Sequence, residues 1–372
     1  MIRVLCDAIH ADLWESLRLL LEVRLGWQLY RPIGMEWHER GVWRFEQHQP
    51  YGLGVAHQFL DPWDGDRAYA SGYHFYPGHR TDEPCGDCEW PHAARRDTTH
   101  PPQVQRLVTY EQARSKPWDL VLATLAENEE GLWKFAQEVG AHYGIQVGNQ
   151  GAQNLWPIAE FGLLSVTTPG FTPWKPHVYY RQEFDLRQFS PDDGAIAEPD
   201  LVSTRVQCIT QTGEYARFLA AAAAIPEARF LWYGHCEPRD EHWGGDDATT
   251  NDVAHSMHRT RVAWHAKRWS DGYGHVVHNW FAIGRPVIGT ATYYQDKIAG
   301  PLFVEGVTSY DLDRHSDQEV HGIIRRLLGD DDHWLTMCRA SAERFRAVVD
   351  FDAEAEQIRT MLENVMSDRL VR

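Results

Sequence analysis

Residues 270–288 bring together side-chain types that can hold a phosphate and the spacing that would place them. Asp271, Gly272 and Gly274 stand at the mouth of a short predicted helix, with Tyr273 between the glycines and His275 after them. Val276, Val277, Trp280, Phe281 and Ile283 recur at helical spacing, so one face of that helix is predicted to be buried. Gly284 ends the helix, Pro286 forbids its continuation, and Val287-Ile288 reads as the next strand. Glycines let the backbone approach an oxyanion closely. Unpaired N–H groups and the dipole of a helix N-terminus favour a phosphate there. The pattern points to a nucleotide or nucleotide-sugar pocket, against the simpler alternative of a strand–turn–helix capped by Asp271.

This stretch resembles the donor-binding signature of GT-B glycosyltransferases, in particular the retaining group whose motif reads E-G-F-G, four residues, then E-A-M-A-x-G-x-P-V-I. Asp271 falls on the first glutamate, Gly272-Tyr273-Gly274 on G-F-G, Asn279 on the second glutamate, and Ala282, Gly284, Pro286, Val287 and Ile288 on the tail. The resemblance implies an α/β fold of two Rossmann-like domains facing across a cleft, with a C-terminal helix crossing back to the N-terminal domain. It also implies transfer of a sugar, with retention, from a nucleoside diphosphate sugar to a hydroxyl acceptor, with no obligatory metal. In that family the first carboxylate binds the donor sugar and the second holds the ribose, roles that fall here to Asp271 and to the neutral Asn279, with His278 beside it. The family's Arg and Lys, after the first strand of the second domain, grip the diphosphate. Val206–Thr210 is predicted to be that strand, and Gln211-Thr212-Gly213-Glu214 after it offers no base, so Lys267 and Arg268 are the nearest substitutes. The acceptor stays open between a glycan or small molecule and, as in phage-type DNA glycosyltransferases, a hydroxymethylated base in DNA. The alternative activity is a GT-B-shaped sugar-nucleotide epimerase, and a non-catalytic nucleotide-binding module is a third reading.

Other groups carry weaker signals. Cys85 and Cys88, with His79 before and His92 after, have spacing a structural zinc ion can use; two free thiols in a loop is the other reading. Asp7 and His10 follow the first predicted strand, where α/β folds bind ligands, and are candidates to orient or deprotonate an acceptor hydroxyl or simply to cap a helix. Asn149 and Gln150 follow a later strand. Asp64-Gly65-Asp66 has a D-x-D form but reads better as a solvated turn.

The elements that must position these groups alternate. Ile2–Cys6 is predicted as a strand, followed by a helix with Leu13, Leu17, Leu20 and Leu21 on one face. Residues 26–105, rich in Trp, Tyr, His, Pro and Gly, read as a loop-rich insertion with short strands; Trp90, Arg95, Arg96 and Arg106 within or beside it would suit a flipped base and its phosphates. Leu120–Ala123 and Gly144–Val147 read as strands flanking a helix through Leu132, Phe135, Ala136 and Val139. Residues 166–204 read as a proline-marked connection, followed by a helix through Tyr215, Phe218, Leu219 and Ala222 and a strand at Arg229–Gly234. Ala355, Ile358, Met361, Leu362 and Val365 form the stripe of a last helix. The expected division is an acceptor-side domain over 1–175, a nucleotide-sugar domain over 176–345 and a returning helix over 346–372.

At 372 residues, two domains of ordinary size are expected. A net charge of −17 weighs against a broad nucleic-acid surface, since backbone binding needs clustered cations. No apolar run reaches the ~20 residues needed to span a bilayer, the N-terminus is too short and polar for a signal peptide, and the six scattered cysteines form no disulfide framework, so a cytoplasmic location is expected.

Overall fold

A computed structural model describes residues 1–8, 11–32, 67–70, 103–108, 110–124, 129–148, 158–166, 176–192, 194–206, 209–234, 238–245, 250–268 and 272–368. The chain divides into two compact units, one of Met1–Ser165, Gly170–Phe184 and Phe351–Arg372, the other of Val166–Pro169 and Asp185–Asp350.

In the first unit, β1 (Arg3–Cys6), β2 (Gln28–Pro32), β3 (Arg67–Ala70), β4 (Gln103–Val108), β5 (Leu120–Ala123), β6 (His142–Val147), β7 (Phe161–Leu164) and β8 (His177–Tyr179) form one sheet in the order β3-β4-β2-β1-β5-β6-β7-β8. Only the β3–β4 pairing is antiparallel. The central strands are short apolar runs buried on both faces, as parallel strands covered by helices must be. Helices α1 (Ala11–Arg18), α2 (Tyr110–Ser115) and α3 (Glu129–Val139) follow β1, β4 and β5. A π-helical turn, Leu19–Arg24, extends α1. Its residues Leu20 and Leu21, with Leu13 and Leu17, meet the last helix of the chain in one core through Ala355, Ile358, Leu362 and Val365. That last helix thus belongs to the first unit, as the predicted stripe requires. It is tied there by Glu354, which accepts from Arg181 N at 2.6 Å, and by Asp352, which pairs with Arg24.

The second unit holds β9 (Leu201–Thr204), β10 (Arg229–Tyr233), β11 (Trp243–Gly245), β12 (Val262–His265), β13 (Val287–Gly289) and β14 (Ser309–Asp311), all parallel, in the order β11-β10-β9-β12-β13-β14. Helices α4 (Glu214–Ala224), α5 (Thr250–Arg259), α6 (His275–Ala282), α7 (Ala291–Tyr294), α8 (Asp317–Gly329), α9 (Asp331–Val348) and, returning to the first unit, α10 (Phe351–Asp368) complete the chain. Phe218, Phe230, Trp232, Trp264 and Ile288 are central to this core.

Two expectations are corrected. The first strand of the second unit is Leu201–Thr204, not Val206–Thr210; Ile209–Gln211 is a 3₁₀ turn. Leu201–Thr204 pairs with β10 on one side and β12 on the other, and that double pairing outweighs the β-branched character of the later run. The stretches read as insertion and connection also contain core strands, β2 beside β1 and β8 beside β7.

The tail of the signature fixes where α6 ends. Gly284 adopts φ 75°, and a Cβ there would lie 2.8 Å from the Cys338 carbonyl oxygen, so only glycine lets α9 come this close. Arg285 is fully buried: Nη2 donates to both Asp192 oxygens at 2.9 Å, and Nε donates to the Thr260 carbonyl at 2.8 Å. Burial opposes ionisation of Asp192, but His258, Arg285 and the Gly194 N–H outweigh it and pull its carboxyl down to about 2.

Candidate functional site

An open parallel sheet binds ligands outside the carboxyl ends of its strands, where the strand order reverses. In the second unit the chain runs from β9 outward to β10 and β11, then returns to the far side of β9 as β12, so the reversal lies between β9 and β12. Arg205 follows β9 directly, and Ala266-Lys267-Arg268 follows β12. The glycine turn of residues 272–274 follows in the chain and opens α6.

Gly274 is the N-cap of α6 in the left-handed conformation, φ 78° and ψ 50°, and with no side chain it contributes no cap hydrogen bond. Gly274 itself therefore offers the first-turn N–H groups no side-chain acceptor. His278 N closes the first helical bond on the Gly274 carbonyl at 3.1 Å. His278 Nδ1 also lies 2.9 Å from that oxygen, where it donates, and its ring stacks on Tyr273 at 4.3 Å and 12°. His278 thus fastens the turn from inside the helix. Asn279 is 3% exposed and its Oδ1 has no hydrogen-bond partner. A buried carbonyl oxygen without a donor costs about 1–3 kcal/mol, so a ligand that brings a donor is rewarded there.

Arg205 is the residue that the sequence reading missed. With β9 ending at Thr204, a base does stand immediately after the first strand of this unit. The side chain is buried, its guanidinium carbon 4.0 Å from the Tyr233 ring centroid and 5.5 Å from that of Trp280 on α6. Stacking between aromatic faces holds a guanidinium plane in place. The signal that would have found it is Pro199-Asp200, a turn just ahead of Leu201.

The two cations expected to contact phosphate sit differently. Arg268 is 40% exposed and pairs with two carboxylates, Asp313, at 2.9 Å from Nη1, and Glu214. These pairs raise its pKa and offset its charge locally. Lys267 is half-buried; its backbone N–H donates to Thr290 Oγ1 at 3.2 Å, and the same hydroxyl donates to the Lys267 carbonyl at 2.7 Å, pinning the ends of β12 and β13 together. His275 is half-buried beside Tyr273, ring centroids 5.9 Å apart.

In the first unit the strand order reverses between β1 and β5. Asp7, fully buried after β1, accepts from Thr124 N after β5 at 2.6 Å. Farther along the same edge, Ser165 Oγ accepts from Gln146 Nε2 at 3.1 Å and Gln182 Nε2 at 2.9 Å. Arg106, considered for nucleic-acid contact, pairs with Glu22. Asp271, His10, Asn149, Gln150, Asp64, Asp66, Trp90, Arg95, Arg96 and the set Cys85, Cys88, His79 and His92 lie outside the described residues. Among the described residues no cluster of three metal-ligating side chains occurs, Cys6 and Cys338 are free and buried, and no helix is long and apolar enough to cross a membrane.

No family model matches the sequence, and no curated protein matches it. Solved structures do match the fold. Sucrose-phosphate synthase from Thermosynechococcus elongatus aligns with TM-score 0.62 at 14% identity, over 99% of this chain and 100% of that one. Anabaena HepE, solved in complex with UDP-glucose, aligns with TM-score 0.59 at 12% identity, over 98% of this chain and 100% of that one. TarM aligns with TM-score 0.52 at 10% identity, over 65% and 54%. The likeness establishes the GT-B fold: two Rossmann-like units and a C-terminal helix returned to the first.

Proposed function

We propose that the chain is a glycosyltransferase that binds a nucleoside diphosphate sugar at the reversal point of the second unit and transfers the sugar to a hydroxyl acceptor. The observation that carries this reading is the combination, on one sheet edge, of a left-handed glycine turn at a helix N-terminus and a buried arginine packed against aromatic rings, one of them on that helix. The turn supplies oriented N–H groups, and Arg205 supplies a charge already removed from water. Together they suit a diphosphate better than either does alone.

In this reading the anomeric C–O bond breaks with its electron pair leaving on the diphosphate, and the acceptor oxygen forms the new bond as its proton passes to the departing diphosphate or to water. N–H groups of residues 272–275 and Arg205 stabilise the leaving charge without reorganising, because the fold has already fixed them. Lys267 lies farther along the same edge, whereas the charge of Arg268 is largely taken up by Asp313 and Glu214. Asn279 serves the ribose, with His278 holding the turn beside it. Asp271 is assigned to the donor sugar by the resemblance alone. Asp7 and His10 are assigned to the acceptor side. With its carboxylate buried against Thr124 N–H, Asp7 suits fixing the edge of the sheet more than removing a proton.

The test is incubation with a panel of nucleotide sugars, with and without glycan, small-molecule and hydroxymethylated-DNA acceptors, following release of nucleoside diphosphate. Release that depends on one acceptor class supports the reading and identifies the acceptor. An isomerised nucleotide sugar without free diphosphate would instead mean an epimerase, and binding without turnover a nucleotide-binding module.

A further inference from the structure

Beneath the glycine turn lies a buried polar pair that the phosphate reading does not itself use. His265, the last residue of β12, is 1% exposed, and Tyr294, the last residue of α7, is fully buried. His265 Nε2 and the Tyr294 hydroxyl are 2.8 Å apart. A Cβ on Gly274 would lie 3.2 Å from Tyr294 Cε1, so the phenol ring is the floor on which the left-handed residue rests.

That ring is held on several sides. It stacks on Phe303 at 5.2 Å and 16°, and Tyr293 meets it edge-on at 5.1 Å. These apolar contacts fix the plane of the ring, and the hydroxyl tether to His265 fixes its position within the plane. His265 is itself anchored, its carbonyl accepting from Thr290 N at 3.2 Å. A buried hydrogen-bonded imidazole and phenol roughly break even against apolar groups of the same shape. Stability alone therefore does not call for this pair, whereas a backbone turn that must be held to a fraction of an ångström does.

We propose that His265 and Tyr294 are positioning residues for the phosphate-holding turn: their hydrogen bond sets the height of the ring under Gly274, and so the aim of the N–H groups at the mouth of α6. The inference rests on the nucleotide-binding reading above.

The test separates phosphate from nucleoside. UDP affinity is measured by calorimetry and uridine affinity by ligand-detected NMR. Tyr294→Phe keeps the ring and its stacking and removes only the tether. It is expected to weaken UDP about fivefold to tenfold, the scale of one hydrogen bond, and to leave uridine unchanged. His265→Gln, whose amide nitrogen can replace Nε2, is expected to stay within about twofold of wild type, whereas His265→Leu should match Tyr294→Phe. The double variant His265→Leu/Tyr294→Phe should be no worse than either single one, as for two ends of one bond. Unchanged UDP affinity in Tyr294→Phe overturns the proposal, and so does equal weakening of UDP and uridine, which would mark a merely structural pair. A wild-type protein that binds neither ligand removes the nucleotide reading itself, and the inference with it.

Discussion

At the carboxyl edge of the first sheet several polar groups close on one another; at the same edge of the second a glycine turn opens a helix and an arginine packs on aromatic rings. Apart from the antiparallel β3 both sheets are parallel, and both reverse order near the middle, between β1 and β5 and between β9 and β12. In the first, Asp7 closes on Thr124 N–H, and Gln146 and Gln182 close on Ser165. In the second, the helix mouth has a residue without a side chain as its cap, Asn279 Oδ1 meets no donor, and Arg205 is steadied by ring faces. Topology alone thus does not make a binding site. What distinguishes the second edge is a helix mouth capped by a glycine, with Arg205 packed on aromatic rings.

Substitutions can break this contrast, and the largest effect is expected at the turn. Gly274→Val places a β-branched side chain at φ 78° and drives Cβ toward Tyr294. UDP binding should fall by about a hundredfold or more, with the fold retained by circular dichroism. Arg205→Met keeps bulk between the rings and removes the charge. A loss of about tenfold to a hundredfold in nucleotide-sugar affinity is expected, matching ~1.5–3 kcal/mol for a charge-assisted bond, with little change in melting temperature. Asp7→Ala should do the opposite. Removing the acceptor of the part-buried Thr124 N–H should cost about 1 kcal/mol in denaturant unfolding while UDP affinity holds.

Asn279→Ala is expected to weaken UDP by about fivefold, near 1 kcal/mol, in a calorimetric titration. A further test concerns acid. Asp192 is depressed to about 2, so the stability it confers is complete above the ordinary carboxylate value near 4 and is lost as pH falls through about 2. Asp192→Asn should lower stability at neutral pH and flatten the decline between about pH 4 and 2, read from unfolding curves across that range.

The glycine turn, α6, its end at Gly284 and the following strand were legible because each has a local cause: a left-handed glycine, a helical apolar stripe, a proline that stops the helix. The stripe of α10 was legible for the same reason, its four buried residues lying in one core with α1. Strand β9 was not. Leu201–Thr204 and Val206–Thr210 are both β-prone runs, and the choice between them is made by pairing with β10 and β12, more than twenty and more than fifty residues away. Misplacing that strand hid Arg205, because a residue counts as following a strand only once the strand is known. Short strands were expected within residues 26–105, but the pairing of β2 with β1, more than twenty residues away, has no local signal.

The most direct test of the central claim is hydrogen exchange of the intact protein with and without UDP, read by mass spectrometry. Slowed exchange is predicted in peptides covering residues 203–206, 264–268 and 272–280, with the β1, β5 and β6 edge unchanged. Protection confined to that first edge, or the same protection in Gly274→Val as in wild type, would contradict it.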